Sequence, residues 1–319
     1  MAPTDPRSVR IAAPMRVAYL VQNHRGPRQA KRLIAALRRG GDARILLCHD
    51  EHAGHCSARS LARVLGVEVL PIRRPARRGY LSVLEPYFLG VRHLAASGAD
   101  YDWLVYLSAQ DYPIRPIAEL ERLLAATPFD GFLRYWRALD AGNPWGRSVQ
   151  GERRYFHQYV DAPRWTLPAL RLLRALNGVQ GFLHFHLVYG PRVGWRKSRP
   201  PFHAGFPCWA GLQWTVLRRA AAEAATEGFF ADPRLVAWFE RTICPDEAVV
   251  QTVLLNSGRF RLCDDDLRYE SFAGSRDGHP HLLSRADLPL LLASGKYFAR
   301  KFDLYHDEGV LYLLDGLAA

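Results

Sequence analysis

Four short stretches of the chain carry side chains able to do chemistry. "CPDEAVVQTVLLNSG" sets Asp246 and Glu247 directly before an apolar run through Val249, Val250, Val253 and Leu254. Two carboxylates opening a helix either complement its dipole or present a proton acceptor, and these residues alone leave both readings open. "FARKFD", Phe298 to Asp303, holds Lys301 beside the apolar anchors Phe298 and Phe302, either as a solvated lysine or as a point charge for an anion. "DWLVYLSAQDYPIRP", Asp102 to Pro116, is apolar from Trp103 to Leu107 and turns polar at Ser108, Gln110 and Asp111. Asp111 there either forms an Asx-turn before Pro113 or offers a carboxylate to a ligand. "CDDDL" spaces Asp264 and Asp266 as a divalent-cation site would.

These residues need a scaffold, and the flanking patterns describe one. "RVAYLVQNH" reads as a strand ending at Gln22, Asn23 and His24, and the following "PRQAKRLIAALRRGG" puts Ala30, Leu33, Ile34 and Leu37 on one helical face. "ARILLCHD", "SARSLARVLG" and "VEVLPI" repeat strand, helix, strand, which is the alternation of a parallel sheet covered by helices. "SVLEPYFLGVRHLAASG" supplies a helix before the Trp103 strand. Ligands of such sheets gather beyond the carboxyl ends of the strands, where His24 and the Ser108–Asp111 turn both fall.

After an "IAELERLLAAT" helix and an "FDGFLRYW" strand, the pattern loosens between Arg137 and Phe206. That long irregular segment, dense in Trp, Tyr, Arg and Pro, reads as a functional loop whose aromatics (Trp136, Trp145, Tyr155, Trp165, Trp195) serve either the core or sugar stacking. "LQWTVLRRAAAEAATEG" and "DPRLVAWFERT" are expected as two amphipathic helices, with Trp214 a core residue on the first. No repeat and no long linker divides the chain, so one domain over 16–319 is expected after a flexible tail at 1–15.

Composition bounds the function classes. At 319 residues and 49% hydrophobic content the chain can bury a large core. No apolar run approaches the roughly 20 residues of a membrane helix, and the N-terminus lacks a secretory h-region, so a cytoplasmic protein without a membrane span is expected. Five scattered cysteines without a CxxC pair fit reduced thiols and argue against zinc. The richness in Arg, Ala and Gly points to a high-GC bacterial source. A net charge of +12 calls for an anionic partner. The Arg73–Arg78 and Arg196–Arg199 clusters carry no nucleic-acid signature and read as solvated surface.

In this order, "DWLVYLSAQDYPIRP", "CPDEAVVQTVLLNS" and "FARKFD" resemble the core-2/I-branching β-1,6-N-acetylglucosaminyltransferase family, which includes the peptide O-xylosyltransferases. The resemblance covers roughly residues 16 to 305. It implies a GT-A-like, Rossmann-like α/β fold with a mixed sheet flanked by helices, a UDP-sugar donor, an inverting displacement, and neither metal nor cofactor. Glu247 matches the family's catalytic base. Lys301 matches its diphosphate-binding lysine, and the partnering arginine upstream is expected at Arg268, with Arg276 the alternative. His24, Gln110, Asp111, Trp209, Gly211 and Gln213 are expected around the donor, Gly211 because a small residue lets the sugar approach the backbone. The acceptor would be a carbohydrate, a glycopeptide or a small natural product. Two rivals remain at this stage: a metal-dependent enzyme using Asp264 and Asp266, and a basic nucleic-acid-binding protein motivated by charge alone.

Overall fold

The computed structural model describes residues 15–41, 43–145, 148–273 and 279–317. Its centre is a seven-stranded mixed sheet flanked by helices. β1 (Val17–Asn23), β2 (Arg44–His49), β3 (Glu68–Pro71) and β4 (Trp103–Ser108) form its parallel part in the order β4-β1-β2-β3. Val216–Arg218 lies antiparallel beside β4, followed outward by Gly131–Phe132 and Leu262–Cys263.

Strand parity decides which core each side chain joins. Trp103, Val105 and Leu107 of β4 pack with Tyr19 and Val21 against Leu33, Leu37, Ile117 and Leu120 on one face. Leu104 and Tyr106 turn to the other face, where Tyr87, Val91, Ala222 and Phe229 cover them. Because both faces are buried, β1 and β4 read as continuous apolar runs rather than alternating ones. Among the described residues no helix is long and apolar enough to cross a membrane.

Two smaller assemblies sit at the carboxyl end of the sheet. Phe298–Arg300 lies between Arg268–Glu270 and Tyr112–Pro113, which ties the C-terminal motif to the turn after β4. The segment expected as an irregular loop contains a helix, Ser148–Tyr155, and an antiparallel sheet with Arg192–Arg196 between His157–Asp161 and Leu183–His186.

Three expected elements differ in the structure. "LQWTVLRRAAAEAATEG" begins as the strand Val216–Arg218, and its helix starts only at Arg219, because pairing along β4 overrides the local helical pattern. Trp214 therefore lies in the turn before that strand, not on a helix. "FDGFLRYW" divides into Gly131–Phe132 in the central sheet and Tyr135–Arg137 paired with Trp209–Gly211. Asp246 and Glu247 occupy a separate 3₁₀ turn, Pro245–Glu247, set off by the non-helical Ala248 from the helix Val249–Ser257.

Candidate active site

A pocket of about 310 Å³ opens where β1 and β4 end. The register pairs Gln22 with Ser108, so the residues leaving both strands emerge side by side. His24, Gln110, Gln213, Glu247 and Lys301, expected from separate parts of the sequence, all line this one pocket.

Gln110 holds the C-terminal motif in place. Its carbonyl accepts from the Phe302 backbone N–H at 2.9 Å, and its Nε2 donates to the Phe302 carbonyl at 3.3 Å. Phe302 is fully buried, edge-on to Tyr112, so Lys301 is carried to the pocket wall by a fixed neighbour. Gln213 is likewise tied inward: its Nε2 reaches Gln22 Oε1 at 3.1 Å, which also accepts from the Tyr106 hydroxyl at 2.8 Å.

Asp111 and Arg268 sit elsewhere than expected. The Asp111 side chain has no exposed surface, accepts from the Ser108 N–H at 2.5 Å, and faces Arg300 Nε at 3.3 Å and Arg268 Nε at 3.5 Å. Arg268 is equally enclosed and donates to the Tyr106 carbonyl at 3.1 Å. The reason is register: Glu270 pairs with Arg300 at the pocket, while Arg268 pairs with Phe298, two residues further back along the strand. Arg300, adjacent to Lys301, lines the pocket instead, its guanidinium stacked 4.3 Å over Trp214.

The carboxylate side is built on a strained turn. Cys244 has φ of +51°, uncommon for a residue with a Cβ, and it turns the chain into Pro245–Glu247. Glu247 Oε2 is ion-paired with Arg154 Nη1. Burial and the neighbouring Glu247 push the Asp246 carboxyl up to about 7. Burial does the same to Glu270, up to about 7, against the opposing pull of Arg300. Burial, then Arg25 and Lys301, lowers His24 to about 4, which leaves its ring neutral at pH 7. Burial and the cations Arg300, Arg25 and Arg78 lower Lys301 from its usual value.

The remaining sequence candidates are placed as follows. Trp209 lies outside the pocket, its N–H and carbonyl both bonded to Thr252 Oγ1 at 3.1 and 3.0 Å. Gly211 is small for a different reason than expected. A Cβ there would stand 1.9 Å from the Arg134 carbonyl oxygen, so its close approach is to the backbone just before Tyr135–Arg137 and not to a ligand. Arg276 lies outside the described residues. Asp264 accepts from the Tyr135 N–H at 2.9 Å, Asp266 is buried and accepts from the Arg268 N–H at 3.3 Å, and neither lines the pocket. The arginine clusters are partly neutralised by Arg74–Glu85, Arg77–Asp161 and Arg196–Glu152 ion pairs.

Sequence reasoning missed Arg78, Arg300, Glu270, Trp214 and Arg154. Adjacency to Lys301 was the available signal for Arg300. Arg78 had been read as surface, and nothing in its cluster distinguishes the one side chain that turns toward the pocket.

No family model matches the chain. Among curated proteins it is similar to β-glucuronosyltransferase GlcAT14A of Arabidopsis thaliana, with 25% identity over 66% of this chain and 41% of that protein. It is similar to xylosyltransferase 2 of Homo sapiens, with 26% identity over 95% of this chain and 33% of that protein. The chain thus spans between a third and two fifths of the length of these relatives. Of solved structures, S. aureus TarS aligns with 37% of this chain and 21% of its own, at 12% identity and a TM-score of 0.28. Both curated relatives are named for sugar transfer, a glucuronosyltransferase in one case and a xylosyltransferase in the other.

Proposed function

We propose that the chain is an inverting, metal-independent glycosyltransferase that moves GlcNAc, xylose or a similar sugar from a UDP-sugar to an acceptor hydroxyl. One observation carries the reading: a single pocket sets Asp246 and Glu247 against Arg78, Arg300 and Lys301. Glu247 accepts the acceptor's proton while the acceptor oxygen bonds to the anomeric carbon. The bond from that carbon to the diphosphate oxygen breaks on the opposite face, and UDP leaves with its electron pair. One base and one displacement invert the anomeric centre.

The leaving diphosphate gathers charge that must be met as it forms. Lys301 acts as a point charge and Arg300 as a planar fork held by Trp214 and Asp111, with Arg78 completing the cationic wall. Arg268 takes no phosphate contact in this reading; it fixes Asp111, which in turn orients Arg300. Arg154 occupies one oxygen of Glu247 and leaves the other for the acceptor hydroxyl.

The test is transfer from a panel of UDP-sugars with the product's anomeric proton coupling read by NMR, with and without EDTA. Inverted product and an unchanged rate under chelation are expected. A retained anomer, or a rate abolished by EDTA and restored by Mn²⁺, would overturn the mechanism.

A further inference from the structure

A second cavity exceeds the donor pocket in volume. It holds about 770 Å³ between the helix Ser148–Tyr155 and the Leu183–His186 strand, and its lining includes Arg153, Arg154, Arg174, His184, His186 and Tyr189. No Asp or Glu lines it. The imidazoles add no charge at neutral pH: burial, then the nearby cations, lowers His184 to about 3 and His186 to about 4. Three arginines therefore line one space of ligand size with no acid among its lining residues, Arg154 alone of them paired with a carboxylate, Glu247, at its edge.

The wall is already organised. Tyr159 donates its hydroxyl hydrogen to the Arg153 carbonyl at 2.6 Å and meets His184 Nδ1 at 2.7 Å. Asn177 Nδ2 donates to the Phe185 carbonyl at 3.0 Å, and Arg153 donates to the Asn177 carbonyl. Arg154 belongs to both spaces, since it lines this cavity and pairs with Glu247 at the donor pocket. A ligand here would approach the Glu247 carboxylate past Arg154.

We propose that this cavity is the acceptor site and that it takes a short sugar acceptor bearing an anionic group, a carboxylate or a phosphate, paired with Arg174 and Arg153. The assignment rests on Glu247 being the base. Arginine suits the role because its fork matches both carboxylate and phosphate oxygens. The acceptor hydroxyl then meets Glu247 past Arg154, and the anion supplies the charge that the cavity lining lacks.

Calorimetry of the intact protein, with UDP already bound, tests this with two matched pairs: cellobiouronic acid against cellobiose, and glucose 6-phosphate against glucose. At least one charged probe is expected to bind about tenfold or more tighter than its neutral parent, and the two pairs tell carboxylate from phosphate. Arg174→Ala, an exposed position, should remove most of that difference, and Arg174→Glu should abolish it. UDP affinity, measured separately, reads the donor pocket. Equal binding of charged and neutral probes, or a preference untouched by Arg174→Glu, would overturn the proposal while leaving the donor reading intact. Binding of a glutamate-rich serine peptide with no affinity for either charged sugar would also overturn it. Absence of UDP binding would overturn the donor reading itself.

Discussion

The proposed donor pocket and the arginine-lined cavity meet at Arg154 and Glu247, yet they manage charge in opposite ways. The pocket mixes signs, with Asp246, Glu247 and Glu270 beside Arg78, Arg300 and Lys301. Beneath them the enclosed Asp111 sits between Arg268, equally enclosed, and the pocket-lining Arg300. The cavity carries cations alone. A balanced site can hold charged groups in fixed positions before any ligand arrives, which suits stabilisation of charge that appears only during reaction. A one-signed site is completed by its ligand, which suits selection of an anion. The scaffolds differ in the same sense: strand ends of a buried sheet carry the first, and a small peripheral sheet carries the second.

The largest effect is expected at the seam. Glu247→Gln keeps the side chain's size and removes the proton acceptor, so transfer should fall by about 10²–10⁴ with UDP affinity and melting temperature nearly unchanged. Initial rates together with calorimetry check this, and near-normal turnover would dissolve the distinction between a chemical side and a selecting side.

Asp111→Ala breaks the balance of the donor pocket from beneath. It leaves the enclosed Arg268 and the pocket-lining Arg300 without their shared carboxylate, at a cost of about 3–5 kcal/mol by analogy with other broken buried pairs. Urea titration should show a lowered midpoint, with UDP binding lost alongside because Arg300 is released. A variant as stable as the wild type would show that Asp111 does not organise the site.

Lys301→Ala sharpens the contrast instead. One charge-assisted contact to phosphate is worth about 1.5–3 kcal/mol, so UDP affinity should drop by roughly 10- to 150-fold. Binding of the charged sugars at Arg174 should not move. Parallel losses in both titrations would mean that the two spaces act as one.

The smallest effect concerns Asp246. Its folded value of about 7 lies above the ordinary carboxyl value of 3.8, so the folded state holds the proton more tightly than the unfolded chain. That contribution to stability is fully present below about pH 4 and is lost as pH rises through 7. Asp246→Asn cannot ionise and should flatten the decline in melting temperature between pH 5 and 8. An identical pH profile for wild type and variant would refute the assignment.

The elements differ in how far their sequence foretold them. β1 and β4 were legible because a run buried on both faces has to be apolar throughout, and the polar residues that follow can only lie at the strand ends. Val216–Arg218 was not legible, since its neighbours favour a helix and only the free edge of β4 makes it a strand. The chemistry divides similarly. Glu247 and Lys301 stand in motifs whose order is visible, whereas Arg78 and Arg154 look like any other arginines of a chain with a formal charge of +12.

By itself the sequence determined the parallel half of the sheet, the residue types available at its carboxyl edge, and the kind of chemistry those types permit. Periodicity carries that information because it records burial and the side of an element on which each residue falls. Only the tertiary structure decided partners. It turned Asp111 inward to Arg268 and Arg300, set Gly211 against the Arg134 carbonyl, brought Arg300 over Trp214, and joined two spaces at Arg154. Pattern cannot foresee these choices, because a register shift of two residues leaves every hydrophobic face unchanged while moving a charged group from a pocket wall into the enclosed interior.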